Sequence, residues 1–104
     1  MSQQDIDTGQ ELLTTVEEET EEPPMYRVLL HNDDFTTKEF VVSILTAVFG
    51  MTPDEAARLM WNVHKNGVGV CGVYPFDIAD TKIRTVTMLA RENGFPLKTT
   101  MEKE

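Results

Sequence analysis

Between Met25 and His31 the chain runs Met-Tyr-Arg-Val-Leu-Leu-His, with β-branched, aromatic and apolar residues that favour a strand. Strand alternation places Val28, Leu30 and Asn32 on one face and Leu29 with His31 on the other. The apolar run then stops at Asn32-Asp33-Asp34, whose short polar side chains can bond nearby backbone and turn the chain. A helix pattern follows at once. Thr36-Thr37-Lys38-Glu39 fits a capping box with Thr36 as N-cap, Phe35 and Phe40 fall at the staple positions, and Gly50 suits the C′ place. Phe40, Val41, Ile44, Leu45, Val48 and Phe49 recur at helical spacing as its buried face.

A second helix begins at Thr52-Pro53-Asp54-Glu55, with an N-cap, proline at N1 and acids in the first turn. Ala56, Leu59, Met60 and Val63 form its apolar stripe, and Asn66-Gly67 ends it with His64 in the last turn. Gly67 to Tyr74 reads as a strand in which Val68, Val70 and Gly72 face one way and Gly69, Cys71 and Val73 the other. Its glycines imply a close neighbour against the backbone. Pro75 to Asn93 is the longest helix, with no good capping residue before it; Gly94 stops it. Phe95 to Met101 reads as a last strand. The order β-α-α-β-α-β predicts an α+β domain: a small three-stranded antiparallel sheet with three helices packed on it.

Charge divides the chain. Residues 1–22 hold eight acids and no Lys or Arg, and the remainder holds ten acids and nine bases. The formal charge of -9 thus belongs mostly to the first segment. That segment has too little apolar surface to offset its ordering entropy, so a flexible acidic N-terminal extension is expected over 1–22 and a single domain over 23–104. No basic stripe is available to neutralise phosphates, which argues against nucleic acid. One cysteine, Cys71, excludes an intrachain disulfide. With no apolar leader and no spanning-length apolar run, a cytoplasmic protein with no membrane partner is expected.

Motifs for phosphate loops, zinc hydrolases and serine nucleophiles are absent. What remains is a set of acceptors: Asn32, Asp33, Asp34 and His64. An acid/base or metal-dependent hydrolase could use Asp34 and His64, with His31 as a further metal ligand only if strand parity failed. His64 also suits the negative end of a helix dipole with no binding role. Acceptors without a cationic partner fit a cationic ligand. An α-amino group, with a pKa of about 7.7–8.0 and three N–H donors, is one.

The segments Tyr26–Thr36, Ala57–His64, Val70–Tyr74 and Ala90–Asn93 together resemble the ClpS family, bacterial adaptors for Clp-type AAA+ unfoldases. The resemblance runs from about residue 23 to the end. It implies a non-catalytic N-end rule adaptor without cofactor or metal. Such an adaptor recognises N-degron proteins that begin with Leu, Phe, Tyr or Trp and delivers them for degradation. By position, Asn32, Asp33, Asp34 and His64 would bind the α-amino group. Thr36, Lys38, Val41, Met60, Val63 and Leu97 would line the hydrophobic pocket. Asp77, Asp80 and Lys82 would meet the N-terminal domain of a ClpA-like unfoldase, which would also engage the N-terminal extension. Two positions depart from the family pattern: Lys38 stands where familiar members carry Met, and Thr37 where Pro is common.

Overall fold

The computed structural model describes residues 22–104, so the extension expected over 1–22 lies, but for Glu22, outside the described residues. Three strands and three helices follow in the expected order. They are β1 (Met25–His31), α1 (Lys38–Ala47), α2 (Pro53–Asn66), β2 (Val68–Pro75), α3 (Phe76–Glu92) and β3 (Lys98–Lys103). The sheet is antiparallel in the order β2-β1-β3, so β1 is its centre. Val28 and Leu30 of β1 are fully buried. They join Val41, Ile44 and Leu45 of α1, Ala56, Met60 and Val63 of α2, and Ala79, Val86 and Ala90 of α3 in one core. Burying a side chain the size of Leu30 contributes about 1.5–3 kcal/mol.

Helix starts follow local chemistry. At α2 the Thr52 hydroxyl accepts from Glu55 N–H while the Glu55 carboxylate accepts from Thr52 N–H, a complete capping box ahead of Pro53. At α1 the expected cap moves by one residue. Thr37, not Thr36, is the N-cap, and its hydroxyl accepts from Phe40 N–H at 3.1 Å. The Thr36 hydroxyl is already donating to Asp33 Oδ2 at 2.7 Å and cannot serve the helix. With the frame shifted, Phe35 is left 77% exposed, and Phe40 packs on Phe95 with ring centroids 4.9 Å apart. Gly50 turns the chain at φ 71, two places past the C-cap Val48 rather than at C′. The start of α3 has no side-chain cap, as its sequence suggests.

Two strand expectations change. In β2 the alternation holds from Val68 to Cys71 and then slips, because Val28 pairs with Gly72 while Leu29 pairs with Val70. Cys71 is the extra residue of a β-bulge. Beyond it Gly72 and Tyr74 share the face of Val28 and Tyr26, the reverse of strict alternation. Two of the three glycines sit under close neighbours: a Cβ on Gly69 would lie 2.7 Å from Val63 Cγ2, and one on Gly72 2.4 Å from the Tyr74 hydroxyl, whereas Gly67 lies before the strand and has nothing within 4 Å. The last strand begins at Lys98, not Phe95. Phe95 N–H donates to the Ala90 carbonyl at 2.8 Å to close α3, and Pro96 has no N–H to give a ladder.

Candidate functional site

At the end of β1 the chain leaves the sheet at Asn32, whose N–H donates to the Gly67 carbonyl at 2.9 Å. This bond ties the polar turn to the end of α2. Gly67 caps that helix at φ 93, a left-handed conformation that glycine adopts without a Cβ penalty. His64, in the last turn of α2, is thereby brought beside the turn that follows β1.

Within the turn Asp33 works inward. Its Oδ1 accepts from the N–H groups of Phe35 (2.8 Å) and Thr36 (2.7 Å), and its Oδ2 accepts the Thr36 hydroxyl. Burial pushes its carboxyl up, but the three hydrogen bonds outweigh that and hold it below its ordinary value. Asp33 therefore shapes the turn. Asn32, Asp34 and His64 are exposed, with acceptor groups available to a ligand.

Below this rim lies a cavity of about 140 Å³. Val41 from α1 and Met60 and Val63 from α2, all buried, supply apolar wall, and Leu97 closes it from the loop before β3. Thr36 adds little polarity because its hydroxyl is engaged. An apolar cavity of roughly 150 Å³ is large enough for a benzene ring. Lys38 also lines the cavity, but its ammonium lies 5.5 Å from the Trp61 ring centroid, a cation–π distance. Trp61 in turn meets the His64 ring edge-on at 5.8 Å.

All ten residues expected at the amine rim and the pocket border this one cavity. Leu30 and His31 border it as well. Leu30 was legible, since it shares the strand face of Asn32. His31 borders the cavity although Thr100 Oγ1 engages its Nε2 at 2.8 Å. Trp61, which touches the two site residues Lys38 and His64, is absent from the residues expected at the site. Its place three residues before His64 on α2 is the signal that would have found it. Among the described residues no three His, Cys, Asp or Glu side chains come together as ion ligands. None of their helices is long and apolar enough to cross a membrane.

Asp77, Asp80 and Lys82 lie elsewhere, on the first half of α3. Asp77 is exposed, and Asp80 Oδ2 accepts from Arg84 Nε at 3.0 Å. Lys82 is not a free surface charge. Its ammonium donates to the Val48 carbonyl at 2.8 Å and sits over the rings of Tyr74 (5.2 Å) and Phe49 (5.6 Å).

Residues 21–100 match the family described as ATP-dependent Clp protease adaptor protein ClpS. The chain is 54% identical to the ATP-dependent Clp protease adapter protein ClpS of Desulforapulum autotrophicum over 104 residues, all of both chains. It is 58% identical to the protein of that name from Clostridium acetobutylicum over 81 residues, covering 78% of this chain and 80% of the other. The structure of Agrobacterium tumefaciens ClpS2 bound to L-phenylalaninamide superposes with a TM-score of 0.77 at 46% identity, covering 80% of this chain and all of that one. With this match over most of its length, the chain belongs to the ClpS family of ATP-dependent Clp protease adaptors.

Proposed function

We propose that the cavity holds the first residue of a substrate protein: its α-amino group at the rim and its side chain among Val41, Met60, Val63 and Leu97. The observation that carries this is a single cavity of about 140 Å³ bordered both by the acceptors Asn32, Asp34 and His64 and by the apolar Val41, Met60, Val63 and Leu97. An α-ammonium group has three donors, and the Asn32 carbonyl, the Asp34 carboxylate and an imidazole nitrogen of His64 supply three acceptors. Asp33 holds the turn that presents them. Bulky first residues such as Leu, Phe, Tyr and Trp gain about 1.5–3 kcal/mol from burial, which small ones cannot. The ligand of the Agrobacterium relative has the same two parts, a free amine and a phenyl ring.

ClpS is a family of adaptors, not of catalysts. Asp34 and His64 are accordingly binding groups, and nothing supports the hydrolase alternative. In this reading the bound substrate is delivered to a Clp-type AAA+ unfoldase. Asp77 and Asp80, with Lys82 as a brace, meet a ClpA-like N-terminal domain, and the acidic segment 1–22 is engaged during transfer.

Fluorescence anisotropy with a labelled peptide beginning with Phe tests the site. The peptide should bind, and its N-acetylated twin and a version beginning with Lys should not. Asp34→Ala or His64→Ala should each cost about 1.5–3 kcal/mol, roughly ten- to a hundredfold in affinity. Equal binding of the acetylated peptide would remove the amine from the reading.

A further inference from the structure

The cavity proposed for a substrate's amine is bordered by a cation of the protein's own. Lys38, the first residue of α1, lines the same space as Asn32, Asp34 and His64. Its ammonium is a chemical twin of an α-ammonium group, with the same charge and the same three N–H donors. Acceptors that attract the one therefore attract the other. The Asp34 carboxylate is the exposed acid on this rim, since Asp33 is engaged by the turn. A Lys38 ammonium on Asp34 would close the site to its ligand.

The ammonium is held elsewhere. Lys38 is in neither of the ion pairs of the described residues, Arg27–Glu102 and Arg84–Asp80. Its Nζ lies 5.5 Å from the centroid of the Trp61 ring, inside the roughly 6 Å over which an aromatic face attracts a cation, and indole is the most attractive of these faces. Lys38 stands between two spaces. Beside the cavity runs a groove of about 400 Å³ lined by Lys38, Glu39, Val42, Met60 and Trp61. Glu39 adds an acid on the groove side. Trp61 is 55% exposed, so packing leaves much of its ring open to the ammonium. The same indole meets the His64 ring almost at right angles, with centroids 5.8 Å apart. One side chain thus touches both the competing cation and one of the acceptors.

We propose that Trp61 is a positioning residue: its indole holds the Lys38 ammonium on the groove side and off the Asp34 carboxylate, so that Asn32, Asp34 and His64 stay open for the substrate's α-amino group. This rests on the amine reading of the cavity. At an exposed site the attraction of an indole for an ammonium changes the occupancy of the two places by a factor of about two to five.

The test is a double-mutant cycle read by anisotropy with the Phe peptide. Wild type, Trp61→Leu, Lys38→Met and the double variant are titrated side by side. Trp61→Leu should weaken binding by roughly two- to fivefold more in the Lys38 background than in the Lys38→Met background. Trp61→Phe, which keeps an aromatic face, should restore part of the loss. The Lys38 ε-methylene protons should resonate upfield in the wild type under the indole ring current and return to ordinary lysine shifts in Trp61→Leu. The same fold loss in both backgrounds would make Trp61 a structural residue only. That result, no loss at all, or ordinary Lys38 shifts in the wild type would overturn the proposal. The acetylated peptide keeps the two readings apart. If the wild type binds it as well as the free amine, the amine reading falls; if it rejects it while the cycle shows no coupling, only the role of Trp61 falls.

Discussion

Asp33 and Asp34 are neighbours of one type with separate work. Asp33 spends both oxygens inside the turn, whereas Asp34 stays exposed at the rim. Asp33→Ala should therefore cost about 1 kcal/mol of stability, the scale of a lost side-chain cap. Because the folded carboxyl titrates below its ordinary value of 3.8, its stabilisation is complete above that pH and is lost as pH falls through the lower folded value. The gap in melting temperature between wild type and Asp33→Asn should thus close on acidification below about pH 3.8, which calorimetry across pH 2–6 would measure. Cys71 shows the opposite shift. Burial pushes its thiol up to about 12, so it stays protonated and unreactive in the folded protein. Iodoacetamide at pH 8 should alkylate it only when denaturant is added. A shift in this direction also costs stability as pH rises from about 9, where the unfolded thiol ionises, towards 12.

At the level of elements, Gly69 links the sheet to the site. A Cβ there would meet Val63 Cγ2 and Leu59 Cδ1 inside van der Waals distance, and Val63 is a β-branched cavity wall with little rotamer freedom. Gly69→Ala should destabilise the fold by about 1–3 kcal/mol and weaken binding of a Phe peptide, although the residue touches no ligand. Parallel melting curves and anisotropy titrations would measure both effects. How far such features can be read beforehand depends on what competes for each group. The strands, the helices and the three buried cavity walls Val41, Met60 and Val63 follow from periodicity, because each faces the core on a regular repeat. The cap of α1 does not, because two adjacent threonines offer equal hydroxyls and only the Asp33–Thr36 bond decides between them. The bulge at Cys71 is equally hidden. Nothing in Val-Gly-Val-Cys-Gly-Val marks which residue lacks a partner, and the slip is set by pairing with β1. Phe95 is of a type that favours a strand, but its N–H is taken by the helix before it.

Over the whole molecule the central strand separates the cavity from the face around Asp77 that is proposed to meet the unfoldase. The cavity lies beyond His31, while the edge contact of Phe76 with Tyr26 sets the first turn of α3 near the start of β1. Seven strand residues span about 20 Å, so a peptide in the cavity and a protein against Asp77 need not collide. Asp77→Arg should leave peptide anisotropy unchanged while weakening capture by an isolated unfoldase N-terminal domain. Loss of both would mean that the two ends are not independent. The bulge has a colloidal consequence as well. Among the described residues β2 has no strand neighbour on its outer side, and from Val68 to Tyr74 it carries no charged residue and no proline. Such an edge is a template for chain-to-chain cross-β pairing, and a bulge that sharpens the local twist is one of the few devices left to spoil the fit. On this account a chain lacking that single residue should lose solubility at concentrations where the natural one stays clear, which light scattering would measure.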